Sequence, residues 1–499
     1  MRWFSVFLLI ALCGCGEKEN AETAESNTWV IQNVDVIDVR VGKVVPSQSV
    51  VIEGSTIISV DAATSKTSIA NARVIDGSGK YLIPGLWDMH IHTSTDAASR
   101  NAILPLLIAN GITGARSMAA DCHTEDGKCG EPLADIHEVN KWREEIAAGD
   151  LVGPRLIASS YYTNGPASVD ESSIENPATA EHARSYARLL NSRGIDLIKV
   201  YSGMYREAYF AMAEEAHALQ LEFSGHVPLT VRASEASDAG QSTIEHITGF
   251  LEECSTEEEA LRPKLIESYS SPADFWLILL ELADTFDEEK CQQLYENLAV
   301  NGTWHVPTLY VEGFYEGSKT PRGEWREDPR LKYVPRVEVE LWESLEKGYF
   351  EGISDYRNAL QPLSQKAFQI AGETHRAGVP VMAGSDPGEF GIIWGFSLHI
   401  ELQYLVEAGL SEADALRAAT LNPARYRSME DFLGTIEKGK RADLVLLNAN
   451  PLADISNTRL IDTVIANGQV FRREDLDALL QTVESYVMST WADNSSASD

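Results

Sequence analysis

The chain has 499 residues, of which 44% are hydrophobic and 23% charged. This composition excludes wholesale disorder, and the length suits one large α/β barrel with an accessory domain or roughly two to three smaller domains. Lys and Arg total 41 against 75 Asp and Glu, a formal net charge of −34 that repels polyanions and speaks against nucleic acid as a partner.

The first residues read as an export signal. Arg2 opens a short basic region, and Trp3 to Leu12 form an apolar run. At about ten residues the run is too short for a membrane-spanning helix and suits the apolar part of a signal peptide. It ends Leu12-Cys13-Gly14-Cys15, which resembles a bacterial lipobox with cleavage before Cys15 and lipid on that cysteine. A plain secretory signal cut nearby is the other reading. The polar stretch that follows, GEKENAETAESN, reads as a tether. Gly16 after the cysteine resembles the sorting pattern of outer-membrane lipoproteins. The expected location is therefore the bacterial cell envelope, lipid-anchored at the outer membrane or periplasmic face, or the periplasm.

Residues 29–60 contain β-rich runs broken by Gly, Pro and Ser, and a similar pattern returns in ADLVLLNANP and IDTVIANGQVF near the end. Between them, eight short apolar runs alternate with helical stretches: 81–92, 111–118, 153–161, 196–201, 222–227, 242–247, 303–309 and 380–387. Segments such as ENPATAEHARSYARLLNSRG space their apolar residues at i, i+3 and i+4. Eight βα units predict an α/β fold, a (β/α)8 TIM barrel. The β-rich ends pair into one small composite β-sandwich. The expected boundaries are 1–14 signal, 15–28 tether, 29–80 and 433–480 the two parts of the sandwich, 81–432 the barrel, and 481–499 a C-terminal tail. The segment 255–300 is acidic and helical, and 310–370 exceeds one βα connection, which predicts extra helices or a lid.

Cys122 and Cys129 flank the polar loop CHTEDGKC. In an oxidising compartment this predicts a loop-closing disulfide, with a metal site as the competing reading. Cys254 and Cys291 are candidates for a second bridge.

The strongest local signal is Asp88-Met89-His90-Ile91-His92. Side chains alternate along a strand, so His90 and His92 face one side and can reach one cation. Such a pair alone can also be structural. Its company matters more: His226, His246 and Asp386 close the fifth, sixth and eighth runs, and Lys199 lies inside the fourth, IDLIKVY. A lysine in an apolar strand is costly unless it is paired or modified. If its amine takes up carbon dioxide, it becomes a carbamate able to bridge two cations. All six sit near C-terminal strand ends, where barrel active sites are built.

PGLWDMHIHT, IKVY, GHV, EHITG and GSDPG, in this order, resemble the amidohydrolase superfamily. TLNPARYRSMEDFLGTIEKGKRADLVLLNANPL is similar to its C-terminal return segment. The resemblance extends over residues 30–475 and is closest to the binuclear subgroup of imidazolonepropionase-like proteins and Xaa-Pro dipeptidases (prolidases). It implies two divalent metal ions, with zinc the default. His90, His92 and Asp386 would hold the inner ion and His226 and His246 the outer one, with carboxylated Lys199 between them. A mononuclear site using some of these ligands stays open. The implied reaction is hydrolysis of an amide bond by a metal-activated bridging hydroxide, with Asp386 as general base and acid.

Specificity is expected from the βα loops. Tyr201 faces the same side as Lys199 and could bind a substrate carbonyl or carboxylate. Arg116 could pair a carboxylate, and Tyr161 and Tyr162 also follow a strand. Packing is the alternative for each, and for His305. The leading reading is a dipeptidase of Xaa-Pro type acting on a small substrate. A cyclic-amide, lactone or organophosphate hydrolase on the same metals is the alternative, and an inactive surface-anchored binding protein is the reading from a different class. The residues leave homo-oligomerisation open.

Overall fold

The computed structural model describes residues 27–63, 71–121, 133–165, 176–314, 325–351, 359–389 and 391–493. Cys15, Cys122 and Cys129, with the signal and loop readings built on them, lie outside the described residues; of the tether expected over 15–28 only Asn27 and Thr28 are described, and Thr28 already opens a strand.

The two ends of the chain meet in one eight-stranded sheet. Its order runs Gln469–Arg472, Ile461–Ala466, Leu444–Leu447, Tyr81–Pro84, Thr28–Asp38, Lys43–Glu53, Thr56–Ala62, with Arg73–Asp76 pairing Thr28–Asp38 off this path. The join is antiparallel, with Leu444 opposite Pro84 and Leu447 opposite Tyr81. Ile31, Val50, Leu82, Leu444 and Ile465 bury one apolar face of this sheet, as the alternating patterns predict.

The middle of the chain is α/β and TIM-barrel-like. Leu86–Ile91, Ile112–Ser117 and Arg155–Ala158 form one parallel sheet. Leu197–Val200, Glu222–Gly225, Thr243–Glu245 and Trp304–Val306 form another. Leu86–Ile91 and Leu197–Val200 are buried at every position, because helices cover one face and facing side chains the other. Backbone contacts run between the sheets: Ser160 N donates to Leu197 O at 2.9 Å and Thr163 N to Lys199 O at 2.8 Å. The eighth apolar run, 380–387, forms no ladder and holds only isolated bridges, Val381 to His305 and Pro387 to Glu389. Pro380 and Pro387 cannot donate to a ladder. The run still reaches both neighbours, with Met382 N to His305 O at 3.0 Å and Met89 N to Ala383 O at 2.9 Å. Gly384 permits this approach, since a Cβ there would lie 2.8 Å from His90 Cβ.

The helices bury the stripes their periodicity predicts. Ala180–Arg193 hides Ala183, Tyr186, Ala187 and Leu190, is capped by Thr179 and ends at Gly194 with φ 80°. Cys254 and Cys291 form a disulfide that ties Phe250–Cys254 to Glu288–Asn301. Arg336–Tyr349 and Gln361–Arg376 lie in the region expected to hold extra helices. One expectation is corrected. Residues 481–493 are no tail but continue the helix Arg473–Asp493, because Leu476, Val483 and Val487 recur on one face and are buried. Among the described residues no helix is long and apolar enough to cross a membrane.

Candidate metal centre

The first strand delivers His90 at its inner end and His92 just beyond it. His226 and His246 each follow the last residue of their strands, and Asp386 sits at the end of the eighth run. His246 and Asp386 adopt φ of 61° and 55°, conformations that L residues avoid without compensation. Backbone bonds hold both: Asp386 N to His90 O at 2.8 Å and His246 N to Val306 O at 2.9 Å.

These side chains converge. Asp386 Oδ1 lies 2.9 Å from His92 Nε2 and 3.5 Å from His90 Nε2, and Oδ2 lies 3.8 Å from His246 Nε2. One ligand atom from each of His90, His246 and Asp386 lies within 4.8 Å of the others, a group able to hold a metal ion. The His226 ring centre is 4.9 Å from that of His246. Lys199 is 1% exposed, and its charge acts on His90, His226 and His246.

Each imidazole has its outer nitrogen occupied. Nδ1 of His90 meets Glu245 Oε2 at 2.8 Å, that of His92 meets Tyr162 Oη at 3.2 Å, that of His226 meets Ser202 Oγ at 2.8 Å, and that of His246 meets Thr308 Oγ1 at 2.6 Å. Partners on Nδ1 orient the rings and leave Nε2 for a metal, the arrangement common to metal-binding histidines. Asp386 Oδ1 is buried and makes no hydrogen bond, although two ring nitrogens lie close. An unpaired buried carboxylate oxygen is costly, and a cation shared with those nitrogens removes the cost. The donor set of imidazole and carboxylate suits zinc and related divalent ions.

The electrostatics agree with a cation site. Burial lowers the pKa of His90, lowers His226 well below its ordinary value, and pushes His246 down to about 3. Burial would raise Asp386, but His90, His92 and His246 outweigh it and keep the carboxylate ionised. Burial pulls Lys199 down to about 8, against the attraction of Glu245 and Asp386.

Residues 337–471 match the Amidohydrolase family. Matched relatives include an adenine deaminase of Rubrobacter xylanophilus, 31% identical over 161 residues, which are 29% of this chain and 27% of that protein. An imidazolonepropionase of Thermoplasma volcanium is 31% identical over 90 residues, 18% of this chain and 22% of that one. An ochratoxinase of Aspergillus niger is 27% identical over 165 residues, 28% and 33% of the two chains. The chain thus spans a third or less of the length of these relatives. Among solved structures, bottromycin amidohydrolase superposes with a TM-score of 0.70 at 20% identity, covering 92% of this chain and 91% of that one. A Xaa-Pro dipeptidase with bound methionine gives 0.62 at 20% identity, covering 89% and 100%. At this identity the likeness is one of fold.

Of the six residues expected as ligands, His90, His246 and Asp386 bring ligand atoms within 4.8 Å of one another, His92 meets Asp386, His226 packs against His246, and buried Lys199 acts on His90, His226 and His246 by its charge. Tyr201 stands beside them, stacked on His226 with ring centres 4.2 Å apart and packed against Tyr162 at 4.8 Å. Arg116 is a correction. It is fully buried, and its guanidinium is turned to Glu245, Thr243, Tyr426 and the Met89 carbonyl, which closes it off from a substrate carboxylate. His305 is a packed core residue, held by Thr374 and the His246 carbonyl. Glu245 was missed. It directly precedes His246 in an apolar strand, and the argument that singled out Lys199, a charge where apolar residues belong, applies to it equally. Ser202 and Thr308 carried no comparable signal. Asp88 is also buried; it accepts from Ser385 N at 2.9 Å, tying the first strand to the eighth run, and burial raises its pKa to about 7.

Proposed function

We propose that this protein is a metal-dependent hydrolase of amide bonds in small substrates, a dipeptidase of Xaa-Pro type. The observation that carries the reading is the convergence of imidazole Nε2 atoms on Asp386, whose Oδ1 is buried without a hydrogen bond. The site we assign comprises His90, His92, Lys199, His226, His246 and Asp386, with two zinc ions and a carbamate on Lys199. Metal bound there would polarise the scissile carbonyl and activate water. Asp386 then takes the proton from the attacking water and returns it to the leaving amine. The oxygens on each Nδ1 keep the rings aimed during the reaction. Tyr201, at the edge of the cluster, binds the substrate. The Xaa-Pro choice draws on the fold shared with the dipeptidase structure.

We also propose that the two parallel sheets and the eighth run close into one (β/α)8 barrel, which the hydrogen bonds across both seams support. Lipid anchoring at Cys15 in the cell envelope completes the proposal. Globomycin, which blocks lipoprotein signal processing, should make an unprocessed precursor accumulate, and an unchanged size would remove the anchor.

The test of activity is a panel run on zinc-, manganese- and cobalt-loaded protein. It pairs Xaa-Pro and other dipeptides with cyclic amides, lactones and phosphotriesters. Preferential hydrolysis of Xaa-Pro is expected. Activity on lactones alone would overturn the peptidase assignment. Less than about one metal equivalent with no hydrolysis of any substrate would favour a binding protein.

A further inference from the structure

Beneath the proposed ligands lies a charged pair with no access to solvent. Glu245 and Arg116 are each 0% exposed. The two carboxylate oxygens divide their work. Oε1 accepts from Arg116 Nη2 at 2.7 Å and from the Thr243 hydroxyl, while Oε2 faces His90 Nδ1 at 2.8 Å. Arg116 is fixed at its other nitrogens. Nε donates to the Met89 carbonyl at 2.6 Å, and Nη1 donates to Thr243 Oγ1 and Tyr426 Oη, each at 3.2 Å. Met89 precedes His90 on the same strand, so one guanidinium holds both the carboxylate and the backbone beside the histidine.

An ionised carboxylate only accepts hydrogen bonds. The ring proton of His90 therefore sits on Nδ1, and Nε2 turns its lone pair towards Asp386, 3.5 Å away. We propose that Glu245, clamped by Arg116, is a positioning residue that fixes the tautomer and tilt of His90 for metal binding. This rests on the metal-site reading given above and extends it to residues that hold no metal themselves.

Glutamine at 245 separates this role from mere packing. It keeps the shape but offers one accepting oxygen and one donating NH2. Arg116 has only donors, so it takes the oxygen and turns the NH2 towards His90 Nδ1. The histidine proton then moves to Nε2, on the metal side. Cobalt(II) affinity is measured by visible-absorption titration of the full chain against a chelator, without substrate. In Glu245→Gln it is expected to fall by about 10- to 100-fold. In Arg116→Met/Glu245→Gln the competing donor is gone and the Gln oxygen can turn to Nδ1, so most of the loss should be recovered. Arg116→Met/Glu245→Leu offers no acceptor and should not recover. Neither double variant leaves a lone buried charge, so the comparison stands even if Glu245→Gln alone does not fold. Equal cobalt affinity in the two double variants overturns the proposal, as does wild-type affinity in a folded Glu245→Gln. A wild type that takes up no cobalt overturns the metal site and this inference together. A wild type that binds, with variants that do not differ, overturns this inference alone.

Discussion

Asp386 brings an oxygen within 2.9 Å of a histidine nitrogen and makes no hydrogen bond with it. Asparagine there keeps the shape and one oxygen but cannot shuttle a proton. Asp386→Asn is expected to lower kcat by roughly 10²–10⁴-fold while much of the metal remains, measured by turnover and metal content of the same preparation. Near-normal turnover would remove Asp386 from the base role. Ser202 acts one step further out, through His226 Nδ1 at 2.8 Å. Ser202→Ala should weaken metal binding by about tenfold or more with little change in folding, read by chelator competition and a thermal melt. The metal-site candidates were legible because charged or imidazole side chains stood at the ends of apolar runs. The oxygens that orient them were not, because Ser and Thr are ordinary in loops and only the fold shows which ring they meet.

At the scale of elements, the helix Phe396–Glu407 buries Glu401 completely. Its Oε2 accepts from Tyr310 N at 2.8 Å, while Oε1 has no hydrogen bond among the described residues. Burial pushes this carboxyl from its ordinary 4.5 up to about 8, with Asp88 and Glu312 adding repulsion. The folded form therefore keeps a proton that the unfolded chain releases above about pH 4.5. Stability contributed by this group falls as pH rises from 4.5 to about 8 and then levels off. Glu401→Gln should become more stable relative to wild type across that window, seen as a widening gap in urea midpoints between pH 5 and pH 8. A gap that stays constant would contradict it. The disulfide between Cys254 and Cys291 spans 37 residues. Replacing both cysteines with Ala should cost about 2–4 kcal/mol of unfolding free energy, measured by urea denaturation. The pairing was one candidate among the cysteines, and proximity decided it: sequence separation says nothing about which helices will pack.

For the whole molecule, the net charge of −34 sets a long-range repulsion. Raising ionic strength from about 0.01 M to 0.15 M shortens the screening length from about 30 Å to about 8 Å. The unfolding midpoint should therefore rise with sodium chloride over that range, and a midpoint that stays flat would show that local ion pairs dominate. Fold class was readable from periodicity, since alternation, helical stripes and strand-end histidines are local properties of the chain. The β-rich character of both ends was readable too, but their register was not: Leu444 opposite Pro84 depends on how a long α/β middle returns the chain. Arg116 shows the limit most plainly. Its sequence context allowed a substrate contact, yet in the fold it meets Glu245, 129 residues away, with both side chains fully buried. By itself the sequence determined which residues can carry charge and ligate metal, because those are properties of side chains. Tertiary structure decided which of them face the centre and which neutralise one another beneath it, because the cost of a buried charge depends on partners that only folding brings within reach.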